Sequence, residues 1–264
     1  MENFNLSYHV IDRCNKNCVA CGHYAPLASP NDKGVGVEQF RKDMELCKFL
    51  KPYVDKFYLT GGEPTLHENL DELMKISVEY FDNVWLMSNT LDMEFFKKNA
   101  ELINNLGIHV ILTNYNKQRC LEISDILGYV EWFYIPRLDD EEGNREKFNS
   151  KHIARNEVNQ ELLMCERGNC VQLREGKLYM CQVAANLHLL KSYFGEKVSE
   201  FSEEGTYVDL EKYQDIDYVE YTLFRKCPDL CKHCNEPFFI KDIKDNSIPL
   251  RASKRELSEW IEEE

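Results

Sequence analysis

The sequence has no apolar run that approaches the roughly 18 residues a membrane-spanning helix needs. Its first residues are polar and acidic, so they also lack the basic start and apolar stretch of a secretory signal peptide. No internal repeat or low-complexity tract is evident. With 43% hydrophobic and 30% charged residues, the composition is that of an ordinary globular protein. These absences predict a soluble protein in the cytoplasm.

Positive charge is in short supply. The chain has 32 Lys and Arg against 46 Asp and Glu, which gives a formal net charge of −14. A surface that binds nucleic acid or anionic lipid neutralises phosphates with an excess of Lys and Arg. The charge balance therefore argues against nucleic acid and membranes as partners. The length of 264 residues is enough for one enzymatic core with a small appended module.

Cysteine, in contrast, is abundant, with 11 residues. An odd number in a chain of this size, with no export signal, argues against a framework of disulfide bonds and favours metal binding. Cys47 and Cys120 fall on the apolar stripes of predicted helices, so we interpret them as packing residues. The others are Cys14, Cys18, Cys21, Cys165, Cys170, Cys181, Cys227, Cys231 and Cys234.

Short apolar runs alternate with stretches of helical periodicity along the first half of the chain. The predicted strands are 6–11, 57–60, 84–87, 109–112 and 131–135, and the predicted helices are 37–50, 70–81, 93–103 and 120–127. Asp92 predicts the start of the third helix, and Gly128 predicts the end of the fourth. Such alternation is typical of parallel βα units. We therefore predict an α/β fold, a partial, open (β/α) TIM-like barrel of five to six parallel strands.

Polar or glycine residues follow each predicted strand. The residues that could bind a ligand or take part in a reaction are Gly61, Gly62 and Glu63 after the second strand, Ser88 and Asn89 after the third, and Thr113 and Asn114 after the fourth. In βα barrels the chemistry occurs at the carboxyl ends of the strands, where the βα loops converge. We therefore expect these side chains to lie close together although they are distant in sequence.

Cys14, Cys18 and Cys21 follow the first predicted strand in the spacing C-x3-C-x2-C. Structural zinc sites use four ligands, and the cubane clusters of ferredoxins use four cysteines. Three thiolates in a short loop can hold a [4Fe–4S] cluster with one iron left open for a substrate or cofactor, which is a catalytic arrangement. A zinc knuckle completed by His23 is the alternative that the residues leave open.

The cysteine loop, taken with the segment YLTGGEP at 58–64, resembles the radical S-adenosylmethionine (radical SAM) enzymes. In that family the C-x3-C-x2-C loop follows the first strand, and the second strand ends in Gly-Gly-Glu. The resemblance implies that the open iron chelates the amino and carboxylate groups of SAM. It implies these cofactor-binding residues: Gly61, Gly62 and Glu63 for the methionine ammonium, Ser88 and Asn89 for the carboxylate or ribose, and Thr113 and Asn114 as weaker candidates. The family usually has an aromatic residue before the third cysteine, where this chain has Ala20.

Roughly the last hundred residues resemble a Twitch domain, the shortened form of the SPASM domain, which carries one auxiliary [4Fe–4S] cluster in this family. The ligands that the resemblance implies are Cys165, Cys181, Cys231 and Cys234. Cys170 and Cys227 remain alternatives at single positions, and a structural zinc ribbon is the competing interpretation. We therefore predict a radical SAM core at residues 1–160 and an auxiliary-cluster domain at 161–264.

Local structure in the second half is also predicted. Residues 169–175 and 177–183 predict a β-hairpin joined by a tight glycine turn. The segment 253–256, which precedes Leu257, Trp260 and Ile261, has the form of a capping box and predicts the start of a terminal helix. The segment 137–160 is dense in charge, so we predict a solvated linker there, with a substrate lid as the alternative.

The resemblance implies the reaction as well. A flavodoxin- or ferredoxin-type donor reduces the first cluster, SAM is cleaved, and the resulting 5′-deoxyadenosyl radical abstracts a hydrogen atom from a substrate C–H bond. The auxiliary cluster accepts an electron when the substrate undergoes oxidation. For the proton acceptor of such an oxidation, the charged segment offers only the candidates His152, Arg155 and Glu157.

Two substrate classes compete. Relatives with one auxiliary cluster include an aminocyclitol dehydrogenase. The first predicted strand begins near residue 6, which leaves no room for the winged-helix leader-binding domain that peptide-modifying relatives often carry. We therefore expect a small polar, sugar-like or aminocyclitol substrate. Oxidation or cross-linking of a ribosomally made peptide is the alternative, and a non-catalytic Fe–S or zinc module is a remote one.

Overall fold

The computed structural model describes residues 1–18, 21–133, 153–157, 170–235 and 256–262. Its strands are β1 (Phe4–His9), β2 (Val54–Thr60), β3 (Val84–Ser88), β4 (His109–Thr113), β5 (Glu131–Phe133), β6 (Ile153–Ala154), β7 (Cys170–Arg174), β8 (Lys177–Tyr179), β9 (Tyr207–Asp209) and β10 (Ile261–Glu262). Its α-helices are α1 (Val37–Cys47), α2 (Leu70–Tyr80), α3 (Met93–Asn105), α4 (Lys117–Leu127), α5 (Gln182–Phe194), α6 (Ile216–Glu220) and α7 (Asp229–Lys232). Short 3-10 turns lie at Ala25–Leu27, Lys48–Tyr53, Pro64–Leu66, Gly195–Val198 and Leu257–Glu259, and a π-turn lies at Tyr221–Arg225.

Eight strands form one sheet in the order β5-β4-β3-β2-β1-β7-β8-β9. Every neighbouring pair from β5 to β7 is parallel, whereas β8 is antiparallel to both β7 and β9. Strands β6 and β10 form a separate parallel pair. Parallel neighbours need a crossover, and α1 to α4 provide the crossovers between β1 and β5. The predicted α/β fold with five to six parallel strands is confirmed.

The two faces of this sheet differ in polarity because successive residues of a strand alternate between faces. Leu6 and its register partner Phe57 are fully buried on the face that packs against the helices. Ser7 and its register partner Gln172 lie on the opposite face, which is polar although it is buried. Helix residues that pack into the core include Phe40, Met44, Leu73, Phe96 and Ile123. Burial of each such side chain contributes about 1.5–3 kcal/mol to folding. Because the helix-facing side of the sheet provides this stability, residues on the polar face can form a binding or catalytic site.

The helix boundaries follow the signals that the sequence contains. The Asp92 side chain accepts a hydrogen bond from the Phe95 backbone N–H at 3.0 Å and so begins α3. Gly128, with φ of 79°, ends α4 in a conformation that glycine adopts without strain. Both predicted helix ends are confirmed. Within the described residues, no helix has the length and apolar character to cross a membrane.

The predicted β-hairpin is present as β7 and β8, and its turn residues Glu175 and Gly176 both have positive φ, 49° and 73°. Its second strand is shorter than predicted, because α5 begins at Gln182 and Cys181 lies at its N-cap. Strand β7 also pairs in parallel with β1, so the hairpin extends the main sheet. The two predicted domains therefore share one sheet, and the division at residue 160 stays a prediction.

The prediction of a terminal helix is wrong for the described residues 256–262. Leu257–Glu259 form one 3-10 turn, and Ile261–Glu262 form β10, which pairs with β6. Trp260 and Ile261 are almost completely buried in a second core with Tyr24 and Leu187. Pairing with a distant strand decides the conformation here, and a local capping pattern cannot indicate such pairing.

Candidate functional site

The cysteine loop leaves the carboxyl end of β1, and its three thiols are partly buried and near one another. Burial raises the pKa of Cys14 to about 12, with further contributions from Cys21 and Cys18. Burial likewise raises the pKa of Cys21 to about 11, and Cys18 adds to the shift. The Cys14 sulfur accepts a hydrogen bond from the Lys16 backbone N–H at 3.3 Å. The sequence prediction that these three cysteines converge agrees with this placement.

One carboxylate fixes the start of this loop. Asp32 Oδ2 accepts hydrogen bonds from the backbone N–H groups of Asp12 (2.7 Å) and Arg13 (3.2 Å), and Oδ1 accepts from Gly34 (3.1 Å). The Arg13 guanidinium donates to the Leu66 carbonyl at 2.9 Å. The loop between α1 and β1 and the segment after β2 thus both hold the backbone that leads to Cys14.

The Gly-Gly-Glu segment lies directly against the backbone before Cys14. Gly62 N–H donates to the Ile11 carbonyl at 2.7 Å, and Glu63 N–H donates to the Arg13 carbonyl at 3.0 Å. A Cβ on Gly61 would lie 2.5 Å from the Ile11 carbonyl oxygen, and one on Gly62 would lie 2.2 Å from that of Arg13. The two glycines therefore permit a close approach between two loops of the protein, besides any approach to a ligand.

Replacement of Gly62 by alanine is expected to destabilise the protein by about 3 kcal/mol or more, because backbone atoms cannot move away from the new methyl group. The expected fall in Tm is about 6–12 °C, measured by thermal denaturation. Gly36→Ala is the matched control. No atom lies within 4 Å of a Cβ at Gly36, and its φ of −68° suits any residue. Equal Tm values for the two variants would contradict the close approach described here.

Glu63 joins the ends of β2 and β3. Its Oε1 accepts hydrogen bonds from Ser88 Oγ at 2.9 Å and Thr65 Oγ1 at 2.8 Å, and its Oε2 accepts from Asn89 N–H at 2.7 Å. Burial raises the pKa of this carboxyl in spite of these donors. The Asn89 amide also donates to Asn15 Oδ1 at 2.7 Å and to the Cys14 sulfur at 3.5 Å. The structure thus brings Glu63, Ser88 and Asn89 together beside the cysteine loop, as expected from the sequence.

The end of β4 differs from the expectation. Asn114 is buried against α4, where its Oδ1 lies 3.7 Å from the Cys120 sulfur, and Thr113 is half-buried. The residue of this strand end that contacts the cysteine loop is Tyr115, whose hydroxyl lies 3.4 Å from the Cys18 sulfur. Lys16 Nζ lies 3.6 Å from the centre of the Tyr115 ring. Sequence reasoning missed Tyr115, although it directly follows the pair that was singled out.

A family comparison bears on this arrangement. The family model described as the Radical SAM superfamily matches residues 8–119, which contain both the cysteine loop and the Gly-Gly-Glu segment. Over these residues the chain is similar to radical SAM domains.

Two curated proteins resemble part of the chain. The GTP 3′,8-cyclase of Aliarcobacter butzleri (strain RM4018) is 29% identical over 135 residues, covering 47% of this chain and 40% of the relative. The GTP 3′,8-cyclase of Sulfurimonas denitrificans (strain ATCC 33889 / DSM 1251) is 30% identical over 107 residues, covering 39% of this chain and 32% of the relative. The chain therefore spans less than half the length of these relatives.

A solved structure resembles the chain over most of its length. The crystal structure of selenomethionine BtrN in an open conformation superposes with a TM-score of 0.50 at 15% sequence identity, covering 90% of this chain and 98% of BtrN. At this identity the likeness shows a shared fold. This likeness supports the partial-barrel architecture both within residues 8–119 and outside them.

The donor set around the cysteine loop fits a cubane cluster that also binds an amino-acid cofactor. Thiolates that hold a cubane each bind a different iron, so they stand further apart than the ligands of a single ion. In the described part of the chain, no group of three or more His, Cys, Asp and Glu side chains is arranged as the ligands of one metal ion. The buried Glu63 carboxylate beside the loop suits the ammonium group of such a cofactor.

The second cysteine set lies where β8 meets α5. Cys181 is the N-cap residue of α5. Met180 directly precedes Cys181, and its sulfur lies 3.7 Å from the Cys231 sulfur. Cys234 lies in a bridge to Ile153. Cys227 is exposed, and its sulfur contacts the carbonyl of Pro228 at 3.5 Å. Cys165 lies outside the described residues, so the proposed set of four remains a prediction.

The candidate proton acceptors from the charged segment receive little support. His152 lies outside the described residues. The Arg155 guanidinium pairs with Glu200 and donates to the Lys197 carbonyl at the surface. Glu157 is exposed. The His67 ring, which lies just after the Gly-Gly-Glu segment, bonds to the Val35 carbonyl at 2.8 Å.

Sequence reasoning missed a buried polar cluster at the carboxyl ends of β1 and β7. Asp12 accepts two hydrogen bonds from Arg174, at 2.7 and 2.8 Å, and lies 2.9 Å from His9 Nδ1 and 3.4 Å from His188 Nε2. Burial favours the neutral carboxyl, but the contacts with Arg174, His188 and His9 hold the pKa of Asp12 well below its usual range. The His9 ring stacks on His23 at 5.0 Å. The residues of this cluster lie at the ends of neighbouring strands, which is the signal that could have identified them. The sequence does not show that signal, because β1 and β7 are neighbours in the sheet but distant along the chain.

Proposed function

We propose that this protein is a radical SAM enzyme whose N-terminal loop, through Cys14, Cys18 and Cys21, holds the [4Fe–4S] cluster that binds SAM. The observation that carries the proposal is the hydrogen-bond network from Glu63 through Asn89 to the Cys14 sulfur. It connects a buried carboxylate to the cysteine loop. The expected residues for the cofactor are thus adjacent to those for the cluster.

When bound, the cluster and SAM supply a strongly oxidising carbon radical that removes hydrogen from an unactivated C–H bond. The residues of this chain orient the cofactor and restrict the geometry of the cysteine loop. Glu63 offers a carboxylate, already fixed by four side-chain and backbone donors, for the ammonium group of methionine. Asn89 and Tyr115 contact two different sulfurs of the loop and so restrict its geometry. Thr113 and Asn114 remain weaker candidates for cofactor contacts.

The proposal extends to an auxiliary [4Fe–4S] cluster bound by Cys165, Cys181, Cys231 and Cys234 in a Twitch-like region. The contact between Met180 and Cys231 supports it, because it brings the segments that contain Cys181 and Cys231 to one place. A four-cysteine cluster is fully ligated and suits electron transfer. A structural zinc ion at the same cysteines is the competing candidate.

The proposed substrate is a small polar molecule of the sugar or aminocyclitol class, oxidised with a flavodoxin- or ferredoxin-type electron donor. The BtrN-like fold over most of the chain is in keeping with this class but shows the fold alone. The names of the GTP cyclases describe those proteins, and their similarity covers less than half of this chain. Modification of a ribosomally made peptide stays the second candidate, and the predicted cytoplasmic location accords with both.

The test is reductive cleavage of SAM. Anaerobically reconstituted wild-type protein, reduced with dithionite, is expected to convert SAM to 5′-deoxyadenosine and methionine, both quantified by mass spectrometry. Protein from which iron has been removed by chelation is the control and should give neither product. If reconstituted protein with a reducible cluster releases no 5′-deoxyadenosine above this control, the proposed function is wrong.

A further inference from the structure

The Cys18 sulfur contacts a side chain that comes from a different strand end. The Tyr115 hydroxyl lies 3.4 Å from this sulfur. Cys14 and Cys21, in comparison, both accept hydrogen bonds from backbone N–H groups of their own loop. A thiolate that is bound to a metal carries no proton and can only accept, so the hydroxyl is the donor at Cys18. Tyr115 therefore adds a hydrogen bond to this ligand from outside the loop.

The short connection between β4 and α4 holds this hydroxyl in place. Tyr115 N–H donates to the Thr113 carbonyl at 2.8 Å, so the chain turns directly after β4. Asn116, the next residue, begins α4 by accepting a hydrogen bond from the Arg119 N–H at 3.0 Å. Tyr115 thus stands between a strand end and a helix start. Because a tyrosine side chain has only two torsions, its hydroxyl reaches Cys18 at a small cost in side-chain entropy.

A positive charge accompanies the hydroxyl. Lys16 lies between Cys14 and Cys18 in the loop, and its Nζ is 3.6 Å from the centre of the Tyr115 ring. An ammonium group and the face of an aromatic ring attract each other within about 6 Å. The ammonium draws electron density from the ring, which makes the hydroxyl a stronger hydrogen-bond donor. The contact also brings a positive charge to the side chain that touches the Cys18 sulfur.

Both features act on the charge of a cluster bound at this loop. Reduction adds one negative charge to the cluster and its thiolates, so groups that favour negative charge stabilise the reduced form more than the oxidised form. The reduction potential of an iron–sulfur cluster accordingly depends on hydrogen bonds to the sulfurs, on net charge and on solvent exposure. A donor at Cys18 and a nearby ammonium group both raise the potential. Loss of either lowers it, whereas entry of water raises it, because water also stabilises the reduced form.

We propose that Tyr115 and Lys16 make the cluster at Cys14, Cys18 and Cys21 easier to reduce. Tyr115 acts through its hydrogen bond to Cys18, and Lys16 acts through its charge above the Tyr115 ring. The inference rests on the proposed function, because it requires a cluster at these cysteines. Both side chains act through a ligand of that cluster, so they are positioning residues.

The test is a redox titration of the full, reconstituted chain, followed by EPR. The signal that changes when SAM is added identifies the N-terminal cluster, and its potential is then measured without SAM. For Tyr115→Phe we expect the equilibrium constant of reduction to fall about tenfold, which lowers the potential by about 59 mV. Tyr80→Phe is the matched control, because it removes a surface hydroxyl that bonds to Glu45 at 3.3 Å. It should keep the wild-type potential.

The two substitutions of Lys16 test the charge. Lys16→Met should also lower the potential, and Lys16→Arg, which keeps the charge, should retain most of the wild-type value. Lys97→Met is the control for loss of an exposed lysine, because Lys97 pairs with Glu94 at 2.8 Å on α3. Iron and sulfide content shows whether each variant holds its cluster. If Tyr115→Phe does not hold one, the two Lys16 variants decide the inference.

A potential of Tyr115→Phe that equals or exceeds that of the wild type overturns the inference. An equal value shows that the hydroxyl only packs against the loop, and a higher value shows that the ring mainly excludes water. Equal potentials of Lys16→Met and Lys16→Arg overturn it as well.

The proposed function is scored separately on the wild-type preparation. If the reduced wild type forms no 5′-deoxyadenosine from SAM, the proposed function itself fails. If that product forms and the variants titrate as the wild type does, only the inference about Tyr115 and Lys16 fails.

Discussion

Replacement of Cys14, Cys18 and Cys21 together by alanine is expected to abolish formation of 5′-deoxyadenosine and to remove one cluster, about four iron atoms, from the reconstituted protein. The physical reason is that a cubane loses all of its protein ligands at once. The side chains that contact the sulfurs of this loop, Asn89 and Tyr115, offer an amide and a hydroxyl whose pKa is raised by burial, whereas iron–sulfur clusters are held by thiolates. We would measure cluster content by iron and sulfide analysis and by EPR of the reduced protein, and we would quantify 5′-deoxyadenosine as the product.

A second triple variant separates the two predicted clusters. Replacement of Cys181, Cys231 and Cys234 by alanine should also remove about four iron atoms but should leave substrate-free cleavage of SAM in place. Cys47→Ala is the control for loss of a buried thiol, because Cys47 lies in the hydrophobic core and its sulfur hydrogen-bonds to the Met44 carbonyl of its own helix. Retention of the full iron content by the first triple variant would exclude the N-terminal loop as a cluster site. Stoichiometric zinc bound at Cys181, Cys231 and Cys234 would show that these cysteines hold a structural zinc ion and not an auxiliary cluster.

Much of this fold follows from local signals in the sequence. The alternation of apolar runs and helical periodicity predicts β1 to β4 and α1 to α4, because each element buries one face against the same core. Asp92 and Gly128 indicate helix ends because their effects act within one turn of the helix. The cysteine loop and the Gly-Gly-Glu segment could be placed beside one another for a related reason, since parallel strands end at the same edge of the sheet.

The features that the sequence does not indicate depend on contacts between distant segments. Strand β7 lies beside β1 although 160 residues, 10–169, separate the two strands along the chain, and nothing local to Arg174 indicates that it meets Asp12. The same holds for β10, where a capping pattern suggests a helix but pairing with β6 forms a strand. Tyr115 is a smaller case. It reaches Cys18 because Asn114 is turned into α4, a side-chain arrangement that no periodicity reveals.

Replacement of Glu63 by glutamine is expected to weaken SAM binding by about 10- to 100-fold. Hydrogen bonds to a charged group are worth about 1.5–3 kcal/mol, and loss of the carboxylate removes such a bond to the ammonium group of methionine. The amide also changes the protein side of the network. With its oxygen facing Ser88 and Thr65, its NH₂ group faces the Asn89 N–H, which can only donate. Calorimetry and the SAM-induced change in the EPR spectrum of the reduced cluster measure the effect.

Stability should respond less than affinity does in this variant. Burial raises the pKa of Glu63, so an uncharged glutamine avoids the cost of burying a charge, and this gain offsets the loss of the hydrogen bond from the Asn89 N–H. We therefore expect a small change in Tm beside a large loss of affinity. Glu68→Gln is the matched control, because Glu68 is an exposed carboxylate whose partner is Lys33 at 3.6 Å. It should bind SAM as the wild type does. Unchanged SAM affinity in Glu63→Gln would show that the buried carboxylate only ties β2 to β3, and the ammonium group of the cofactor would then need another partner at the strand ends.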